Sequence, residues 1–197
     1  MKNKRLFLFL LALFAALMAG AYVLYDRLSG EISTDQLAAQ QPSQEQSGQS
    51  SSQDQSQPQT IPAPDVTVYR EDGSAVQLSD FFGKPIVLNF WASWCGPCKQ
   101  EMPDFHEAFL AQGDEIHFLM INATTGRETV ETAADFIAQQ EYTFPVFYDT
   151  TTEAAMTYGA YSLPTTFFID AQGNAVAQAV GSISADILQQ GIDMIVP

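Results

Sequence analysis

The stretch from Ile61 to Pro197 predicts an α/β domain: a central mixed β-sheet flanked by helices, with an N-terminal β-hairpin extension. Apolar runs of strand length alternate along it with longer helical patterns, which favours crossover units and a sheet with helices on both faces. Two turn signals, Asp72-Gly73 and Gln172-Gly173-Asn174, each separate a pair of strand-like runs and predict antiparallel hairpins. At 137 residues the segment can bury a core without staples.

The elements follow in order. Asp65–Arg70 and Ala75–Leu78 form the first hairpin around Asp72-Gly73. Pro85-Ile86-Val87-Leu88-Asn89-Phe90-Trp91 reads as a buried strand, and a helix is expected from Cys95 to about Ala111. Ile116–Asn122 is a second apolar strand, followed by a helix over Glu128–Gln139. A short strand over Pro145–Tyr148 precedes a short helix over Glu153–Tyr158. Thr165–Asp170 and Ala175–Val180 make the second hairpin, and Ser184–Ile195 closes the chain as a helix.

The first 60 residues have a different texture. Lys2, Lys4 and Arg5 precede an uncharged run from Leu6 to Tyr25, LFLFLLALFAALMAGAYVLY. Twenty such residues as a helix span about 30 Å, the thickness of a bilayer's hydrocarbon core. Basic residues before the run and mostly acidic ones after it place the N-terminus in the cytoplasm and the rest of the chain outside. Residues 1–28 are therefore expected to be a single-pass membrane anchor. Ala19-Gly20-Ala21 resembles a signal-peptide cleavage site, the competing reading, but the apolar run continues past it. No cysteine follows the run, which excludes a lipoprotein anchor. Between Gln40 and Thr60, nine Gln and six Ser fill 15 of 21 positions. Such a segment buries too little apolar surface to offset its chain entropy, so residues 29–60 are expected to be a disordered linker. Its root-mean-square reach is roughly 30 Å, keeping the 61–197 domain near the membrane.

The chain carries a net charge of −15, and from Ile61 onward four basic residues face 18 acidic ones. That surface repels phosphate backbones and anionic head groups, so no nucleic-acid partner is expected. The acidic surface and the tether suit a monomer.

The chemistry resides in Trp94-Cys95-Gly96-Pro97-Cys98, which holds both cysteines of the chain. The motif follows a buried strand and opens a helix, where free backbone N–H groups and the macrodipole favour a thiolate. Cys95 is expected to be the exposed nucleophile and Cys98, one turn along and more buried, the resolving thiol. Pro97 presets a helical φ and has no N–H to leave unsatisfied. As a structural staple so short a loop would contribute only about 2 kcal/mol. Lys99 stands where c-type haem attachment requires histidine. Zinc would need further ligands, which two histidines and no other cysteine make scarce. Ala92 stands where a peroxidatic cysteine usually has threonine three residues earlier. Dithiol–disulfide exchange is the reading these residues favour.

VLNFWASWCGPCKQEMP (Val87–Pro103) together with YSLPTTFFIDAQG (Tyr161–Gly173) resembles the TlpA/ResA-type membrane-anchored thiol–disulfide oxidoreductases of the thioredoxin superfamily. The resemblance covers Ile61 to the C-terminus and extends to the N-terminal anchor. It implies a thioredoxin-like fold and several site residues. Pro164 matches the superfamily's cis-proline beside the active cysteines, whose loop can pair with an extended substrate. Trp94 is expected to cover the disulfide, and Trp94, Gly96, Pro97, Leu163 and Thr165 to form the substrate-binding surface. Glu101 matches the carboxylate that this branch carries three residues after the second cysteine, on the same helix face, where it could exchange a proton with Cys98. Cytoplasmic thioredoxin has a buried aspartate where Asn89 stands here; Asn89 cannot titrate, which shifts proton handling toward Glu101. His106 and His117 are weak candidates, and Met102 and Phe105 fit the core.

The expected function is extracytoplasmic disulfide reduction at the cell membrane, with no cofactor or metal in the chain. Substrates would be exported proteins, such as apocytochrome c during cytochrome c maturation or oxidised methionine sulfoxide reductases. Reducing equivalents would come from a transmembrane electron donor, as is usual in the family. The alternatives are an oxidase or isomerase of exported proteins, and a non-catalytic binding module regulated by its disulfide.

Overall fold

The β5 strand (Ile86–Trp91) organises the domain because every one of its residues is buried. In the computed structural model, which describes residues 38–39 and 61–196, β5 runs through the middle of a mixed sheet. It pairs in parallel with β6 (His117–Asn122) and antiparallel with β8 (Thr165–Ile169). A strand buried on both faces reads as a continuous apolar run, as it does here.

The sheet grows outward on both sides. Beyond β6 lies β7 (Val146–Tyr148), parallel to it, and then the hairpin of β3 (Thr67–Tyr69) and β4 (Ala75–Gln77), joined through the Tyr69–Tyr148 pair. Asp72-Gly73 forms the predicted turn, with Gly73 at φ 80°. Beyond β8 lies β9 (Asn174–Val180), whose outer edge takes two short partners. These are β2 (Ile61–Pro62) and β1 (Ala38–Ala39), the latter within the stretch whose composition predicts a linker. The predicted anchor at 1–28 and the rest of the linker lie outside the described residues.

Alternation along β5 separates two core layers. Val87 and Trp91 pack with Met102, Phe105, Phe118, Phe168, Leu188 and Ile192, under α1 (Gly96–Gln112), α2 (Val130–Gln139) and α4 (Ala185–Asp193). Ile86, Leu88 and Phe90 pack on the other face with Phe147, Phe167 and Tyr158, beside α3 (Glu153–Thr157) and a 3₁₀ turn over Leu78–Phe81. Helices thus cover both faces, as predicted. α4 lies so close to the sheet that a Cβ at Gly191 would run into the Phe168 ring. Met102 and Phe105 are core residues, as the sequence suggests.

One boundary differs in an informative way. The helix expected from Glu128 starts instead at Val130, because Thr129 takes the N-cap and accepts from the Thr132 N–H at 3.1 Å. Ser, Thr, Asp and Asn are strongly preferred there. Glu128 is left outside the helix and turned inward, 4 % exposed.

Candidate active site

The register delivers the predicted site residues to one end of the sheet. β5 ends at Trp91, opposite Asn122 at the end of β6, while Thr165 at the start of β8 lies opposite Phe90. The turn carrying Cys95, the Leu163-Pro164 loop and the β6–α2 loop therefore leave the sheet side by side. The Leu163-Pro164 peptide bond is cis.

Cys95 and Cys98 form a disulfide. Cys95 is the N-cap of α1, and its Sγ accepts from the Cys98 N–H at 3.2 Å. The sulfur occupies the place where a capping oxygen normally satisfies a free helix N–H, so a thiolate there meets a donor and the positive end of the macrodipole. Pro97 sits in the first turn, where the missing N–H costs nothing. The order of burial is the expected one, but the expected nucleophile is not open: Cys95 is only 4 % exposed and Cys98 is fully buried. The turn folds the Cys95 side chain inward while Gly96 and Pro97 stay at the surface.

Glu101 lies one turn beyond Cys98 and is 2 % exposed. Its Oε1 accepts from Asn89 Nδ2 at 2.9 Å, and its Oε2 accepts from the Ile183 N–H at 2.9 Å. Asn89 donates its second amide hydrogen across the β5–β8 pair to Thr166 Oγ1 at 3.0 Å, while its buried Oδ1 has no partner among the described residues. Burial pushes the Glu101 carboxyl up to about 7, against the opposing pull of the Ile183 and Asn89 donors. A carboxyl poised near neutrality beside a dithiol can take or give a proton within the working pH range. Asn89, which cannot titrate, orients it together with the Ile183 N–H.

The remaining predicted residues divide. Trp94 is 46 % exposed, Gly96 and Pro97 are exposed and Leu163 is half-buried, so these four can meet a partner. Trp94, expected to cover the disulfide, leaves nearly half of its surface open to solvent. Pro164 is buried, and its carbonyl accepts from the Gly181 N–H at 2.9 Å. Thr165, expected at the substrate surface, is instead buried, and its hydroxyl donates to the Ser162 carbonyl at 2.6 Å. That bond closes the turn around the cis peptide and turns the side chain away from any partner. His106 packs edge-on against the Tyr142 and Phe144 rings with Nε2 near Thr143, and His117 packs edge-on against Phe81, so neither belongs to the site.

Residues 60–178 match the model of the AhpC/TSA family. The chain belongs to the AhpC/TSA family. It also belongs with the ResA-type thiol–disulfide oxidoreductases. It is 33 % identical over 136 residues to thiol-disulfide oxidoreductase ResA of Bacillus thuringiensis subsp. konkukian, covering 68 % of this chain and 77 % of that protein. The Bacillus subtilis ResA is 32 % identical over 138 residues, with 68 % and 74 % covered. Among solved structures, a putative thiol:disulfide interchange protein DsbE from Chlorobium tepidum is 33 % identical with a TM-score of 0.61, covering 68 % of this chain and 94 % of that one. StoA from Bacillus subtilis is 26 % identical with a TM-score of 0.58, covering 68 % and 98 %. The fold is thioredoxin-like, and the chain is a thiol–disulfide oxidoreductase.

In this ResA-type site two features escaped the sequence reading. A mostly apolar groove of about 450 Å³ opens beside Trp94 and Leu163, with Ala123, Met156 and Tyr161 among its lining residues. Its walls come from the active-site turn, the β6–α2 loop, and α3 with the segment that follows it, so no single run of sequence signals it. The second feature is the β6–α2 loop, where Arg127 places its guanidinium 4.8 Å from the Trp94 ring centre and Glu128 contacts Ser93.

Proposed function

We propose that the chain is a disulfide reductase of exported proteins, working outside the cytoplasm on an N-terminal membrane tether. In the reduced enzyme the Cys95 thiolate attacks one sulfur of a substrate disulfide, forming a mixed disulfide and releasing the other substrate sulfur, which takes up a proton. Cys98 gives its proton to Glu101 and attacks the Cys95 sulfur. The second substrate thiol leaves, and the Cys95–Cys98 disulfide forms. Two electrons pass to the substrate, and a transmembrane electron donor returns them to the enzyme.

The observation that carries this reading is Glu101, buried one turn from Cys98 and held by Asn89 and Ile183. A fully buried resolving thiol must lose its proton to a neighbour, and a buried carboxyl one helical turn along the same helix supports that role for Glu101. The export reading rests on the Leu6–Tyr25 run and the basic residues before it. Among the described residues no helix is long and apolar enough to cross a membrane. The relatives' names give thiol–disulfide oxidation, reduction and interchange as their chemistry. Apocytochrome c or another exported thiol protein is the substrate this reading assigns, and the apolar groove beside Trp94 and Leu163 gives such a chain a surface to lie on.

The test is the reduction potential, measured by equilibrating the protein in defined thiol buffers and trapping free thiols by alkylation. A value near that of thioredoxin, about −270 mV, is expected. A value well above the glutathione range would make the protein an oxidant of its partners.

A further inference from the structure

Two consecutive residues of the β6–α2 loop grip two consecutive residues of the active-site turn. Glu128 Oε1 accepts from the Ser93 N–H at 2.7 Å and from Asn122 Nδ2 at 2.8 Å, and its Oε2 accepts from the Ser93 hydroxyl at 2.8 Å. Arg127, its neighbour, lies over Trp94. The far side of the grip is rigid. Asn122 ends β6, is fully buried, and its Oδ1 accepts from the Thr124 hydroxyl at 2.9 Å. The Asn122 carbonyl also accepts from the Asp149 N–H at 2.9 Å.

A buried carboxylate is expensive unless donors meet it. Here three donors converge on Glu128, two of them from a single residue that sits two positions before the nucleophile. With its N–H and its hydroxyl both engaged, Ser93 cannot turn without breaking two bonds to a charged acceptor. Trp94 and Cys95 follow directly, so the direction in which the Cys95 side chain points is inherited from Ser93. Nothing in the dithiol chemistry needs Glu128, yet it anchors the segment that keeps Cys95 recessed.

We propose that Glu128 is a positioning residue that locks the Ser93-Trp94-Cys95 turn, and so restricts Cys95 to disulfides that dock on the rim of Trp94, Gly96, Pro97 and Leu163. Small reagents are kept away by the recess. A protein substrate instead uses the fixed rim to bring its disulfide to the sulfur. Releasing the lock should move these two reactivities in opposite directions, which general destabilisation would not do.

The experiment compares reduced wild type with Glu128→Ala, Glu128→Gln and Ser93→Ala. Two rates are measured: alkylation of Cys95 by iodoacetamide, and dithiothreitol-driven reduction of insulin as a protein disulfide. For Glu128→Ala we expect alkylation about fivefold faster and insulin reduction about fivefold slower, the effect of losing about 1 kcal/mol of orientation. Glu128→Gln should stay within about twofold of wild type in both. Its amide oxygen can accept from Ser93 and Asn122, and its NH₂ can donate to the Ser93 hydroxyl after that hydroxyl rotates. Ser93→Ala, which loses one bond of the pair, should show the opposed shifts at about twofold, and it decides the matter if Glu128→Ala fails to fold. Both rates unchanged, both moving in the same direction, or Glu128→Gln behaving like Glu128→Ala would each overturn the proposal.

Discussion

Cys95→Ser should lower turnover of a protein disulfide by about a thousandfold or more, with the fold intact. Serine at this position keeps a side-chain acceptor for the Cys98 N–H, which the cysteine sulfur meets at 3.2 Å, so the helix cap survives. What disappears is the thiolate, because a hydroxyl does not ionise near neutral pH and cannot attack sulfur. Thermal unfolding measured alongside the insulin assay separates the two effects. A melting temperature close to that of the reduced wild type with no turnover is the expected result. Substantial residual turnover would place the nucleophile elsewhere.

Glu101→Gln should have the second largest effect, on stability as well as on rate. Burial holds the folded-state carboxyl near 7, against an ordinary value of 4.5. Between those two pH values the folded protein binds the proton more tightly than the unfolded chain does. Stability therefore falls as pH rises through that window, by roughly 3 kcal/mol in all. Glutamine carries no proton to lose, so chemical denaturation of the variant between pH 4.5 and pH 8 should show a flatter profile. The variant has a route to satisfy its new donor: the Asn89 amide can turn over and bring its unpartnered Oδ1 to face the glutamine NH₂.

The kinetic consequence follows from the same proton. Attack by Cys98 on the mixed disulfide should accelerate as pH rises through about 7, where Glu101 becomes able to accept. In Glu101→Gln that step should vanish and the rate fall by about a hundredfold. Stopped-flow resolution of the mixed disulfide at several pH values reads both. An unchanged rate and an unchanged profile would remove Glu101 from proton transfer.

Much of the architecture was legible because the central strands announce themselves. Ile86–Trp91 and His117–Asn122 are apolar runs flanked by breakers, and burial on both faces leaves few other arrangements. The Cys95-Gly96-Pro97-Cys98 turn and Glu101 were legible because their spacing is local: three residues on a helix are one turn. Contacts across the fold carried no such signal. The Ile183 N–H that holds Glu101 lies 82 positions away, and Ser93 lies 35 from Glu128. Glu128 also looked like an ordinary first-turn acid of a helix, the commonest place for one, and only the cap at Thr129 reveals that it faces inward. Thr165 misled for a related reason. Its position beside the cis-proline suggested the surface, whereas its strand is buried along its whole length and its hydroxyl bonds to the Ser162 carbonyl. The inward set of Cys95 likewise depends on Ser93 and on the neighbouring loop.

The central claim is that Cys95 attacks and Cys98 resolves, and one variant tests it most directly. Cys98→Ser retains the nucleophile and removes the thiol that would free it. Reduced Cys98→Ser should be mixed with a disulfide-bonded protein, quenched in acid, and analysed by intact mass and peptide mapping. The expected product is a stable one-to-one adduct joined through Cys95 and released by dithiothreitol. No adduct in Cys98→Ser, with an adduct on Cys98 in the matching Cys95→Ser sample, would contradict it and reverse the roles of the two sulfurs.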